Sequence, residues 1–595
     1  MANVVIDPVT RIEGHLRIEM KPVDVETSTG TWQVVEKAWS SGTLFRGWEI
    51  ILRGRDPRDA WFLTQRICGV CPAPHAETSI QAIEAAFGVQ PTPVATLIRN
   101  LLHGAYYIYD HMIHTYLLIG PELGVIAKYP PMVPPALGKD GISKLGLGSS
   151  YAKCVEMQRK ANEIVTMWGG KFPHHASEYP RTHPLQEEGH SSRRGKFPHH
   201  ASEYPGGMTV KPTLDRIAST ITRMAEIWPF VAKTMVSDLL ALAEANEHVG
   251  EAVSSLLDIP SRGLQDVGVC TGNFLSYGIM PDPGEYDDWL SVYDRPGRRK
   301  SALIHAGAWD GEFKDFDLRK IAEYVKYSRY DNESGLPPDK EDAPKPNMNK
   351  TGAYSWLKAP RYDGKVYEVG PLARMINTFG LKWKVPRVNP LTGEDLGDFE
   401  YEVMNPKGSV IDRVAARVAL TLLIANKMFE WAADLKSYIG DKVTNYKAVP
   451  ESGEGFGLYD APRGALLHYL RIKNHVIDNY QCIVPSTWNL SPRDDMDQPG
   501  PVETALEGTW LPKDLDVPTI ASTLWPDEDI DLSPLGISAT VNWGDALATA
   551  LKPLGLAPLN MEPANGSKYN TSLAITVVRS FDPCIACAVH LIDRR

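Results

Sequence analysis

Two short cysteine motifs, one near each end, decide how this chain must close on itself. Arg66-Ile67-Cys68-Gly69-Val70-Cys71-Pro72-Ala73-Pro74-His75 lies early, and Asp582-Pro583-Cys584-Ile585-Ala586-Cys587-Ala588-Val589-His590 lies late. Two residues separate the cysteines of each pair, so the turn between them can aim both sulfurs at one metal. These pairs hold four of the seven cysteines. Four thiolates make a soft donor set, suited to a late transition metal or an iron–sulfur cluster and not to magnesium or calcium. A structural zinc site is the plain alternative, but zinc ribbons place their pairs about 15–20 residues apart. Here more than five hundred residues intervene. A redox disulfide would account for either pair alone and give no reason for the other.

Composition narrows the field. A chain of 595 residues could hold several domains by length, and 43% hydrophobic residues suffice for a large core. A formal net charge of −11 argues against nucleic acid as a partner, because a nucleic-acid face is basic. No run of eighteen apolar residues suggests a transmembrane helix. The start, Met1-Ala2-Asn3-Val4-Val5-Ile6-Asp7, reads as a strand and not as a signal peptide. Few, clustered cysteines fit a reducing compartment or metal use, so the expected location is cytoplasmic or peripheral to a membrane.

Periodicity gives a coarse map. Alternation in Val4–Ile6, His15–Met20 and Trp32–Val35 predicts a β-hairpin region over 1–40. Helices are expected from His75 to Phe87, with Gly88 as the stop, over 97–119, over 212–247 with a break at Pro229, and over 409–438 with Gly440 beyond. The second carries His103, His111 and His114. Only the last two are one turn apart, so core or capping roles are expected. Pro- and Gly-rich residues 129–150 read as loop, 260–310 as short strands and turns, and polar 329–350 as an exposed loop. Residues 465–485 predict a hairpin turning at Lys473-Asn474, with Arg463 and Ser486-Thr487 at its open end. Cys154, Cys270 and Cys482 read as small core residues. The class is α+β and mainly α: a core of long packed helices, about 77–250 and 409–440, with small peripheral sheets and hairpins.

The two cysteine motifs together resemble those of the large subunit of nickel–iron hydrogenases, in particular the actinobacterial-type uptake group. Asp7-Pro8-Val9-Thr10-Arg11-Ile12-Glu13-Gly14-His15 is similar to that family's N-terminal motif. Gly42–Ile50, Gly54–Ala60, Ala461-Pro462-Arg463-Gly464-Ala465-Leu466 and Val484-Pro485-Ser486-Thr487-Trp488-Asn489 match as well. The resemblance implies one large-subunit domain over 1–595. It implies nickel bound by Cys68, Cys71, Cys584 and Cys587, with Cys71 and Cys587 bridging to an iron that carries carbon monoxide and cyanide. Pro462, Pro485 and Ser486 would cradle those ligands. Arg463, Glu13, Cys584, Asp110 and Asp582 would be the catalytic residues, and Glu13 would pass the proton outward. Glu49 and His590 would hold a magnesium or similar ion, for which a carboxylate is the right hard ligand.

The activity so implied is heterolytic cleavage of H2 in the uptake direction. The chain has no spare cysteines for a cluster relay, so electrons would leave through an iron–sulfur small subunit in an obligate heterodimer and pass to a downstream acceptor. Some family members are exported folded by a signal on that partner. A hydrogen sensor, a coenzyme-reducing member and a metal-free respiratory-complex relative are the alternatives; the four cysteines weigh against the last. Two features depart from the family. The eleven residues Gly170–Pro180 recur without change as Gly195–Pro205, which reads as a duplicated surface insertion and not as a further metal site. The family trims its chain after the His matching His590, and here Leu591-Ile592-Asp593-Arg594-Arg595 follows.

Overall fold

Alternating apolar residues at the N-terminus form a three-stranded antiparallel sheet, in order β1 (Val4–Ile6), β2 (Leu16–Thr27) and β3 (Gly30–Gly42). Leu16, Ile18 and Met20 point into the core, as period-two patterning demands. The structure is a computed structural model. It describes residues 3–27, 30–120, 123, 150–174, 203–243, 263–283, 302–511, 529–531, 540–542 and 571–588.

Helix α1 (Pro72–Phe87) starts at once after Cys71, with Pro72 in the first turn, where its missing N–H costs nothing, and ends at left-handed Gly88. Helix α2 (Pro93–Ile113) is capped by the Thr92 side chain, which accepts from Ala95 N, and runs on as a π-helical turn over His114–Leu118. Nearly every α2 residue is buried, the pattern of a helix surrounded by protein. Helix α3 (Ser150–Gly169) packs along it. The two-residue strands β4 (Glu203–Tyr204) and β5 (Gly207–Met208) pair antiparallel. Helix α4 (Leu214–Pro229) does change at Pro229, where the chain passes into a π-helical segment, Phe230–Met235.

Strands β6 (Phe274–Pro281) and β7 (Ala302–Trp309) are central in a four-stranded sheet, flanked by Glu368–Val369, parallel to β6, and by Phe313–Lys314. Helix α5 (Pro371–Phe379) covers it. Helix α6 (Val410–Asp434) is capped by Ser409, whose hydroxyl accepts from Asp412 N, and packs on α2, α4 and α5. Strands β8 (Ser452–Ala461), β9 (Gly464–Lys473) and β10 (Val476–Ile483) form an antiparallel sheet that leads into α7 (Pro485–Asn489). Between helices α8 (Ser572–Ser580) and α9 (Ile585–Ala588) lies Cys584, and α9 carries Cys587. The fold is α+β and mainly helical, as the periodicity predicts.

Two readings need correction. Residues 329–350 are not simply an exposed loop: Tyr330 and Glu341 are buried, because Glu341 pairs with buried Lys358. The 465–485 hairpin is present, but its turn is Asn474-His475, and β8 adds a third strand. Residues 129–149, most of the repeated segment, His590 and the residues after it lie outside the described residues.

Strand β8 lies directly on α1, and glycine permits it. Gly453, Gly455 and Gly457 share one strand face. A Cβ on Gly453 would stand 2.5 Å from Ala86 O, and at Gly455 and Gly457 it would fall still closer to Ala82 O and Thr78 O. Thr78, Ala82 and Ala86 follow the helix at four-residue spacing, so backbone meets backbone along three turns. A Gly457→Ala substitution therefore has no flexible side chain to push aside. We expect it to cost at least about 1–3 kcal/mol, the usual range for overpacking, seen by calorimetry as a lowered unfolding midpoint. An unchanged midpoint would show that the strand can lift from the helix.

Candidate functional site

Each cysteine pair is set by local backbone. Cys68 Sγ accepts from Val70 N at 3.2 Å and Cys71 N at 3.1 Å, which curls the turn and puts Cys71 at the start of α1. At the other end, Asp582 takes a left-handed φ of 54°, a conformation Asp tolerates better than most residues, and turns the chain from α8 toward Cys584 and Cys587. Ser486 Oγ accepts from Cys584 N at 2.8 Å.

Several contacts join the ends. Glu13 N donates to Pro583 O at 3.2 Å, and Ile585 N donates to Glu13 O at 2.7 Å. Gly14, at φ 86°, lies so close to Ile585 and Ala586 that a Cβ there would meet Ala586 N at 2.5 Å. The Arg46 guanidinium donates to Ile67 O, Arg66 O and Ala586 O at 2.5, 2.9 and 2.9 Å, gripping both cysteine loops at once.

The four sulfurs converge as a result. Cys68 Sγ is 3.3 Å from Cys584 Sγ, Cys71 Sγ is 3.0 Å from Cys587 Sγ and 3.6 Å from Cys584 Sγ, and Cys584 and Cys587 are 2.9 Å apart. All four are buried and all are free thiols. Burial pushes the Cys584 and Cys587 thiols well up. Cys68 moves the other way: burial opposes its thiolate, but hydrogen bonds from Cys584, Cys587 and Cys71 and the charge of Arg463 outweigh it. Four buried cysteine sulfurs gathered at one point are a donor set that suits a soft metal.

Charged groups stand around the sulfurs. Glu13, half-buried, has its Oε2 3.0 Å from Ala586 N and 3.5 Å from Cys584 Sγ. Burial, then the negative Cys68, push its carboxyl up to about 7, the range a proton carrier needs. Pro462 and Arg463 form the two-residue turn between β8 and β9. A solvated turn arginine is the ordinary reading of such a position; here Arg463 is 3% exposed. Its Nη1 donates to Asp110 Oδ2 at 3.0 Å, and Nη2 pairs with Asp582 Oδ1 at 3.1 Å. Burial disfavours the guanidinium, yet Asp110 and Asp582 outweigh this and hold it charged. Burial pushes Asp110 up to about 6 despite Arg463. For Asp582 the burial penalty is overcome by Arg463, His114 and Arg417, which hold it down.

Pro485 and Ser486 open α7 at the same end of the sheet as Pro462. Glu49 is buried, its carboxyl raised by burial, and it accepts from Cys482 N at 3.3 Å. Lys358 pairs there with Glu323 at 3.0 Å and with Glu341. The reading that unites Glu49 with His590 falls on a residue outside the described ones. His111 and His114 fill core roles, bonded to Thr421 Oγ1 at 2.9 Å and to Arg579 O at 2.7 Å.

Sequence reasoning missed several neighbours. Arg417 reaches Asp582 at 3.6 Å. A chain of polar groups runs inward from Cys587: His75 Nε2 at 3.4 Å, then His75 Nδ1 to His468 Nε2 at 3.1 Å, His468 Nδ1 to Tyr480 OH at 2.7 Å, and Tyr480 OH to Ser79 Oγ at 2.8 Å. His468 and Tyr480 lie on paired strands of the predicted hairpin, so the signal was there. Arg417 sits in an apolar helix with no local mark of its target.

Comparison with known proteins agrees with this geometry. A family model described as nickel-dependent hydrogenase matches residues 46–122 and 189–519, and one described as HoxL-like matches residues 3–21. The chain is 34% identical over 534 residues to the periplasmic [NiFeSe] hydrogenase large subunit of Desulfomicrobium baculatum, covering 86% of this chain and 90% of that one. It is 30% identical over 652 residues to the quinone-reactive Ni/Fe-hydrogenase large chain of Wolinella succinogenes, covering 100% and 96%. A low-dose structure of the anaerobically purified Dm. baculatum [NiFeSe]-hydrogenase superposes with a TM-score of 0.71 at 30% identity, covering 99% and 100%. With four cysteines gathered at one point and likeness along nearly its whole length, the chain belongs to the nickel-dependent hydrogenases as a large subunit of the nickel–iron kind, an oxidoreductase acting on H2.

Proposed function

We propose that Cys68, Cys71, Cys584 and Cys587 hold nickel, with Cys71 and Cys587 shared with an iron carrying carbon monoxide and cyanide, and that the enzyme works in the direction of H2 oxidation. The observation that carries this is the meeting of four buried free thiols with Glu13 on one side and Arg463 on the other. When bound, such a centre supplies the metals that polarise H2 and take up its two electrons. The chain's own groups handle the proton. The Cys584 sulfur receives it, and the Arg463 guanidinium, fixed and held charged by Asp110 and Asp582, stands over the site as a donor. Glu13, 3.5 Å from Cys584 Sγ, carries it outward. Pro462, Pro485 and Ser486 line the place of the iron's diatomic ligands.

Glu49, with His590, would bind magnesium or a similar ion beside Glu323, Glu341 and Lys358. Beyond the four site cysteines, Cys154, Cys270 and Cys482 are single and buried, so electrons must leave through an iron–sulfur small subunit in an obligate heterodimer. No described helix is long and apolar enough to cross a membrane. We place the heterodimer in the cytoplasm or peripherally at a membrane, or exported as a folded pair.

The test is an infrared spectrum of the anaerobically purified heterodimer, with H2-driven reduction of a dye measured beside proton reduction. Metal-bound carbon monoxide and cyanide bands with faster H2 oxidation are expected. Absent bands would overturn the centre, and faster proton reduction the direction. Glu13→Gln keeps an acceptor for Ala586 N but cannot carry a proton. We expect turnover to fall by roughly 10²-fold or more with the infrared bands kept; full turnover would remove Glu13 from the proton route.

A further inference from the structure

A second convergence of ligating side chains lies away from the thiols, where α1, α2 and β4 meet. Glu77 comes from α1, His103 from α2 and Glu203 from β4, and they are 2%, 1% and 0% exposed. His103 Nε2 is 2.7 Å from Glu203 Oε1 and 3.9 Å from Glu77 Oε2. One ligand atom from each residue lies within 4.8 Å of the other two. Glu77 Oε1 accepts from Gln81 Nε2 at 2.9 Å, while its Oε2, buried and facing His103, has no hydrogen-bond partner.

The local charge balance sharpens this. Arg99 Nη1 lies 3.6 Å from Glu77 Oε2, but its hydrogen bonds go to Glu84 and to the carbonyls of Tyr204 and Gly207. Among the described residues, Arg99 and His103 are the cationic or imidazole groups that reach the buried carboxylates Glu77, Glu84 and Glu203 within 4 Å. A closed hydrogen-bond and ion-pair network through His103 and Arg99 is the plain reading. It leaves Glu77 Oε2 buried without a donor, an arrangement that costs free energy.

We propose that Glu77, His103 and Glu203 bind a divalent first-row metal, zinc by the chemistry of its donors. An imidazole nitrogen and two carboxylates form a three-ligand set of the kind zinc takes with one position left for water. The ion neutralises the two carboxylates and gives Glu77 Oε2 its partner. It also clamps three elements. Helix α1 begins just after Cys71, α2 carries Asp110, and β4, which supplies Glu203, lies within the second copy of the repeated segment. The His103 ring packs 5.3 Å from Tyr459 on β8, the strand that ends at the Arg463 turn. A metal here would steady the frame of the hydrogen site without touching it.

The experiment is anomalous diffraction from crystals of the holo heterodimer, recorded across the zinc and iron edges. A peak between the three side chains at either edge supports the site, and a zinc-edge peak is expected; no peak overturns it. Element analysis of the His103→Gln/Glu203→Gln double variant supplies the second reading. Zinc per heterodimer should fall by roughly tenfold or more while nickel is retained. Zinc unchanged in that variant would place the ion elsewhere and overturn the assignment.

Discussion

Cys71→Ser should yield a chain with no nickel, no carbon monoxide or cyanide bands and no measurable H2 oxidation. Cys71 Sγ lies within reach of both C-terminal sulfurs, at 3.0 Å from Cys587 and 3.6 Å from Cys584. A serine hydroxyl is a hard donor that stays protonated near neutral pH, so it cannot stand in for a soft thiolate. The control is Cys270→Ser. Cys270 is a buried thiol whose Sγ faces Pro501 O at 3.6 Å, a contact that a hydroxyl can keep. It should cost some stability and leave metal and activity in place. Nickel retained in Cys71→Ser, by elemental analysis, would remove that sulfur from the metal set.

Arg463→Lys tests a different link, between an assembled site and its chemistry. Truncation to alanine would leave Asp110 buried without its paired cation and Asp582 with Arg417 alone; breaking a buried pair this way typically costs about 3–5 kcal/mol and would confuse stability with turnover. Lysine keeps the charge. It loses the two-pronged geometry by which Nη1 meets Asp110 at 3.0 Å and Nη2 meets Asp582 at 3.1 Å, because an ammonium is a point charge on a flexible stem. We expect H2 oxidation to fall by roughly 10²–10³-fold, the usual worth of a positioned hydrogen-bond donor, with metal content and infrared bands retained. Turnover at the native level would mean that the charge alone matters and that the fork does not.

The site was legible because its residues fall in short, dense motifs. The cysteine pairs, Glu13-Gly14, Pro462-Arg463 and Pro485-Ser486 each hold their neighbours within a turn, so local sequence fixes local shape. The long helices were legible for a related reason: α2 and α6 are apolar over many turns, and Ser409 marks the start of α6, whereas α2 begins at Pro93 after its Thr92 cap, four residues before the predicted start at 97. What the sequence hid depends on partners far along the chain. Strand β8 reads Ser452-Gly453-Glu454-Gly455-Phe456-Gly457, where glycine replaces the apolar alternation that marks a strand. The missing side chains make sense only once α1 is known to lie there. Residues 329–350 look like solvent-facing loop because a buried glutamate and an exposed one are the same letter. Glu341 is inside only because Lys358 meets it. Arg417 belongs to this second group too, since its target, Asp582, is placed by a turn at the opposite end of the chain.

The pairing of Glu13 with Cys584 and Ile585 ties the order of synthesis to the order of assembly. Cys68 and Cys584 are 516 residues apart, and at about 5–20 residues per second that span takes roughly half a minute to two minutes to translate. Throughout that interval the first thiol pair and its neighbouring carboxylate exist without their counterparts. The two sulfurs that complete the set are made last, so the four-sulfur pocket forms only once the last helices have emerged. The long sequence separation thus works as a clock: it withholds a high-affinity thiolate pocket until the helical core that shields it has had time to form.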